Sequence, residues 1–140
     1  MRKGFTLIEL LIVLAVIAAL MAVATPLALN AVKNAKASQV AQNFRNLKAA
    51  IENYWNTAKP TTPTAAIGSA QLVPSYINSI PANFTISNPT AVAGQPGVYS
   101  VTITYTAGDV DGNLVRSNGM GDVSGTTGNL TLTFNLQKWW

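Results

Sequence analysis

The sequence predicts an α+β fold: a long N-terminal α-helix, with a protruding apolar half and an amphipathic half, packed on a small antiparallel β-sheet. Three observations predict it. Residues 5–24, FTLIELLIVLAVIAALMAVA, are apolar except for Thr6 and Glu9. From Val40 to Ala58 apolar side chains recur at helical spacing. Beyond the prolines at 60 and 63 the pattern becomes strict alternation. At 140 residues the chain is one domain or a domain plus a tail.

Taken in order, residues 1–4 (MRKG) are a basic leader. Residues 5–26 carry the apolar run. Twenty helical residues rise about 30 Å, enough to span a hydrocarbon core. Residues 27–58 are the amphipathic half of the same helix. Val40, Phe44, Leu47, Ile51, Tyr54 and Ala58 form one stripe. Lys36, Gln42, Asn43, Arg45, Asn46, Lys48 and Glu52 lie opposite it. No Gly interrupts residues 5–58, and the only Pro is Pro26, where a kink or break is expected. A continuous helix would run on the order of 80 Å and must protrude from its own core.

KPTTPT, residues 59–64, stops the helix, and residues 59–140 form the sheet region. A short helical turn is expected near Ala70–Tyr76. Phe84 and Ile86 open the first strand. Tyr99, Val101, Ile103 and Tyr105 alternate with Ser100, Thr102 and Thr104. Leu130, Leu132, Phe134 and Leu136 alternate with Thr131, Thr133 and Asn135. Their apolar face is the expected partner of the helical stripe.

Composition narrows the chemistry. The chain has no Cys and no His, so a disulfide framework, a thiolate metal site and the commonest general base are all missing. Catalysis would rest on five carboxylates, four Tyr and hydroxyls, and the expectation is a non-enzyme. Of nine cations, Arg2 and Lys3 precede the apolar run and Lys33, Lys36, Arg45 and Lys48 follow it. The second group could face lipid headgroups, acids on neighbouring subunits, or DNA. DNA is the least expected, since no aromatic residues interleave with the basic ones.

Three readings compete for the N-terminus. A secretory signal would place a cleavage site at Ala22-Val23-Ala24 and free a soluble domain starting at Thr25. A plain anchor would hold Arg2 and Lys3 inside. Neither accounts for Glu9, because a charge at the centre of a bilayer helix costs roughly 2.5–3.5 kcal/mol. In the third reading the chain is cut between Gly4 and Phe5. A new amine then stands about 6 Å along the axis from Glu9, and the carboxylate pairs with it, in its own chain or in a neighbour's.

GFTLIELL at 4–11 resembles the class III leader of type IV pilins and type II secretion pseudopilins, over about residues 1–58. The resemblance implies that a prepilin peptidase cuts after Gly4 and methylates Phe5. It further implies that Glu9 pairs with the N-terminus of a neighbouring subunit, and that Pro26 lies where the helix bends or melts. The implied partners are copies of the chain itself, the peptidase, an inner-membrane assembly platform and, before assembly, the lipid bilayer. The implied course is from single-pass precursor to surface filament, or to a periplasmic one for a pseudopilin. Ala15, Ala18, Ala19, Ala22 and Ala24 would let helices 5–32 approach closely in the core. Many Gram-negative major pilins close their C-terminal region with a disulfide, which this chain cannot form. A last strand paired into the sheet and anchored by Trp139 and Trp140 is expected to stand in for it.

No cofactor is expected. Asp109, Asp111 and Asn113, with Asp122 across a Gly-rich segment, are a weak calcium candidate, in a region where some major pseudopilins hold that ion. The set misses the EF-hand template, with Met120 at the twelfth position. A hairpin turn between Tyr105 and Leu114 is the simpler reading. Residues 118–129 lack the Lys of a phosphate loop and read as a flexible exposed loop. Asn83 and Asn129 begin glycosylation-like triplets, read as chance matches at strand edges.

Overall fold

The computed structural model describes residues 4–140; Met1, Arg2 and Lys3 of the basic leader lie outside the described residues. Helix α1 runs Leu7–Ala58 and is followed by a single turn, α2, Ser69–Leu72. The remaining elements are β1 Phe84–Ile86, β2 Thr90–Ala91, β3 Val98–Tyr105, α3 Gly112–Ser117 and β4 Leu130–Gln137. The chain divides into two compact units, the first ending at Ala35 and the second spanning Lys36–Trp140.

In the first unit every described residue is solvent-exposed. Helical assignment continues through Pro26, so the helix does not break there. A missing N–H removes one hydrogen bond from the ladder, and the flanking turns carry the helix past it.

The second unit holds the core. Ala37, Val40, Ala41, Phe44, Leu47, Ala50, Ile51 and Trp55 are the buried residues of α1. The expected stripe is therefore right as far as Ile51 and then wrong in phase. Tyr54 is half-buried, Ala58 is exposed, and Trp55 is buried instead. A step of four residues from Ile51 drifts 40° around a helix, whereas a step of three drifts 60° the other way. Trp55 thus lies on the line of Ala37 and Phe44, 18 and 11 residues back on the buried face, whereas Tyr54 falls on the far side of Leu47. Lys59 ends the helix in a left-handed conformation, φ 46°, ahead of Pro60.

Strand β3 is central. It pairs along its full length with β4 on one edge and with β1 and β2 on the other, all antiparallel. The register sets Tyr105 opposite Leu130, Ile103 opposite Leu132 and Val101 opposite Phe134. Alternation then sends one apolar face of both strands inward, where Val101, Ile103, Leu130, Leu132 and Leu136 are buried. On the other face Thr102 and Thr133 share a hydroxyl hydrogen bond of 2.8 Å. Strand β2, two residues long, is too short to leave a pattern in the sequence.

Helix and sheet meet through aromatic contacts. Phe44 meets Phe84 edge-on with centroids 5.0 Å apart, and Trp55 meets Tyr99 at 5.5 Å. The Trp55 indole N–H also donates to the Gln137 carbonyl at 2.9 Å. Truncating Trp55 removes a large buried side chain and strands that carbonyl, so Trp55→Ala should cost about 3–5 kcal/mol of stability. Tyr54→Ala should cost less than half as much. Denaturant midpoints of the detergent-solubilised variants check this; equal losses would contradict the helix phase given above.

Candidate functional site

The N-terminal end of α1 is built by four residues. Thr6 is its N-cap. The Thr6 Oγ1 accepts from the Glu9 backbone N–H at 3.2 Å, and the Glu9 Oε2 accepts from the Thr6 backbone N–H at 2.8 Å. These reciprocal bonds are a capping box, in which T-x-x-E satisfies two of the donors that a helix start leaves open. The carboxylate also stands in the first turn, where the helix dipole favours a negative charge. Glu9 therefore has hydrogen-bond partners inside its own chain. The T-x-x-E pattern of Thr6-Leu7-Ile8-Glu9 carries that cap in the sequence, beneath the more conspicuous charge.

Around this cap the surface is apolar. Phe5 is 87% exposed, and Leu7, Ile8, Leu10, Leu11 and Ile12 are all exposed beside it. The helix contains a stretch long and apolar enough to cross a membrane, and none of that stretch is buried.

The other sequence candidates behave differently. The calcium set is not gathered. Asp109 accepts from the Tyr105 hydroxyl at 2.6 Å and pairs with Lys36 at 3.3 Å. Asp111 caps α3 by accepting from the Asn113 N–H at 2.8 Å, while Asn113 Oδ1 accepts from Arg116. Among the described residues no group of three or more Asp, Glu, His or Cys is placed to hold a metal. The expected hairpin turn at 109–113 is corrected as well, since Asp111 starts helix α3 and Leu114 lies within it.

Residues 118–129 are not a free loop. Met120 and Val123 are buried, and Ser124 bridges to Thr131. Arg116, a cation with no pattern in the sequence to mark it, donates to the carbonyls of Val123 and Gly125 at 2.9 and 2.8 Å. Of the four cations after the apolar run, three bind within their own unit. Lys36 meets Asp109, Arg45 donates to the Asn118 carbonyl at 3.2 Å, and Lys48 stands 4.0 Å from Glu52 and over the Phe134 ring.

Against known proteins, residues 1–25 match the family model described as a prokaryotic N-terminal methylation motif. Over 122 residues the chain is 33% identical to the type IV major fimbrial protein FimA of Dichelobacter nodosus, covering 85% of this chain and 72% of that protein. No solved structure matches it. A long exposed apolar helix with a methylation motif, joined to a helix-on-sheet unit, defines a pilin-like architecture. The chain belongs to the type IV pilin family, whose members are structural proteins rather than enzymes.

The Lys36–Asp109–Tyr105 cluster gives a pH dependence. The Tyr105 hydrogen bond, with Lys36 beside it, holds the Asp109 carboxyl below its ordinary range. Burial first, and then the Asp109 hydrogen bond and charge, push the Tyr105 phenol up to about 12. A lowered acid contributes stability above its unfolded pKa and loses it as pH falls through the folded one. The raised phenol contributes fully below 10 and loses its share between 10 and about 12. Melting temperature should therefore fall on the acid side below about pH 4 and again on the alkaline side over that interval. Asp109→Asn should shrink the acid loss and Tyr105→Phe the alkaline one, as thermal scans against pH will read.

Proposed function

We propose that this chain is the repeating structural subunit of a type IV pilus. It is made as a membrane precursor, cut between Gly4 and Phe5 by a prepilin peptidase, methylated on Phe5, and polymerised on an inner-membrane platform into a surface filament. The observation that carries the reading is the capped start of α1. A single carboxylate, Glu9, is fixed at the head of the apolar, exposed N-terminal stretch of α1, near the residue whose amine cleavage would free.

The methylation motif over residues 1–25 and the fimbrial relative support the same reading. In lipid the exposed Leu, Ile and Val side chains are solvated by acyl chains. In a filament they pack on copies of themselves, with the alanines allowing close approach. Repeating one contact by rotation and rise gives an open filament rather than a ring. Such a filament serves adhesion, motility or DNA uptake. In the calcium candidate that a secretion pseudopilin would use, Asp109, Asp111 and Asn113 bond Tyr105, the Asn113 N–H and Arg116, which does not favour that alternative.

Sheared surface fibres containing abundant protein that begins at methylated Phe5 are the expected result of mass spectrometry. The same N-terminus confined to the membrane fraction would favour a pseudopilin, and a start at Thr25 would overturn the reading.

The capping box sharpens the assembly test. Glu9→Gln keeps the box, since Gln serves at that position as well as Glu, but removes the charge. Filament yield from Glu9→Gln should fall at least about tenfold, the factor that ~1.4 kcal/mol per contact gives, and as far as from Glu9→Ala. Correct cleavage should persist in both. If Glu9→Gln assembles normally while Thr6→Ala does not, capping rather than charge pairing carries assembly. A bulky residue in place of Gly4 should block both cutting and filament formation.

A further inference from the structure

In the unit Lys36–Trp140, Trp139 is the one exposed residue among all Val, Leu, Ile, Met, Phe, Tyr and Trp side chains. It is 59% exposed, yet it is held in place from several sides. Its indole N–H donates to Asn56 Oδ1 at 3.0 Å. The Trp140 ring meets it at 5.8 Å, with an interplanar angle of 88°. The Lys59 ammonium lies 4.3 Å from its ring centroid. Lys59 itself has the left-handed φ of 46° that L side chains rarely adopt. An exposed indole fixed in this way is a preformed plate rather than a loose side chain.

The plate borders a cleft of about 300 Å³, at the lower end of the range that small-molecule sites occupy. Glu52 and Asn56 of α1 and Asn135 and Gln137 of β4 form its other walls, with the buried Trp55 among the lining residues. The lining is thus an aromatic plate, three carboxamides and one carboxylate. Carboxamides both donate and accept, and the carboxylate accepts only. A phosphate or other anion would meet the Glu52 carboxylate, and the nearby cations are already engaged, Lys48 on Glu52, Lys59 on the Trp139 indole and Lys138 on the Trp140 ring. An apolar ligand would cover the amides without bonding them. A sugar ring answers both halves, because it presents a face of C–H groups to an aromatic plane and a rim of hydroxyls that donate and accept.

We propose that this cleft binds a neutral saccharide, with a pyranose ring stacked on the face of Trp139 opposite Lys59 and hydroxyls bonded to Glu52, Asn56, Asn135 and Gln137. Use of the site in adhesion rests on the surface-filament reading, where repetition along the fibre multiplies a weak contact by avidity. Saccharide binding by the single chain does not rest on it.

The test uses the full chain in a zwitterionic detergent, since sugar-headed detergents would compete. Pentasaccharides of β-1,4-linked glucose, β-1,4-linked N-acetylglucosamine and α-1,6-linked mannose are titrated in turn, with ligand-observed NMR as readout. Saturable binding of at least one is expected. Trp139→Ala should abolish it, and Asn135→Ala, on the opposite element, should weaken it at least about tenfold, the loss of one or two hydrogen bonds. Asn135→Ala should keep the parent melting temperature to within a few degrees, as exposed positions do, while Trp139→Ala also loses the Asn56 bond, so its binding is read well below its own melting temperature.

Failure of all three sugars to bind, or binding that survives Trp139→Ala, overturns the proposal. Absence of binding together with protection of Trp139 from oxidation in assembled filaments would assign the cleft to a neighbouring copy instead. Fibre shearing with N-terminal mass spectrometry tests the filament reading separately, so either result can fail alone.

Discussion

The Trp55 indole donates its N–H to the Gln137 carbonyl while its rings meet Tyr99 and Trp140, and most of the second unit depends on that contact. It ties the end of α1 to the central strand and to the last one. Strand β4 pairs only with β3 and, at Thr131, with Ser124, so its far end would fray without a further hold. The Trp139–Asn56 bond and the Lys138 N–H to the Gly97 carbonyl, at 2.7 Å, continue the fastening past the end of the strand. A disulfide would restrict the unfolded chain. This network acts on the folded state, through burial and directional bonds, and so needs no oxidising compartment.

The same dependence explains why the charges sit where they do. Lys36 and Arg45 belong to the polar flank of α1, and each reaches back to the segment between β3 and β4, through Asp109 and the Asn118 carbonyl. That segment has little regular structure beyond α3 and is held by cations from two sides, since Arg116 grips the Val123 and Gly125 carbonyls. Gly112 lies so close to the Gly125 carbonyl that a Cβ there would stand 2.1 Å away. Glycine at that position is a packing requirement as much as a turn signal.

The sequence carried the periodic elements plainly. Apolar spacing marked α1 and alternation marked β1, β3 and β4, because both patterns are local consequences of which face is buried. The phase at Trp55 was not local. Its partners Gln137 and Trp140 lie at the other end of the chain, and three- and four-residue steps from Ile51 both fit a helix. At Asp111-Gly112 the same residue types serve a hairpin turn and a helix N-cap, and only the packing of Gly112 and Val115 against β4's surroundings decides between them. At the N-terminus both signals were readable in the residues, the carboxylate and the T-x-x-E box, and the first obscured the second.

Those two signals need not compete. A carboxylate has two oxygens and about four acceptor positions, and the Thr6 N–H occupies one of them. On the proposed assembly the remaining positions are open to an amine, and the box has already fixed where the acceptor stands. A free Glu side chain would lose rotamer freedom on pairing; one held by a backbone N–H has lost much of it beforehand, when the helix formed. The cap also gives the carboxylate one hydrogen bond and a place at the positive end of the helix dipole. In the proposed filament, a fixed acceptor at the head of an apolar helix would set the register between neighbours, which smooth Leu and Ile surfaces alone would leave free to slide.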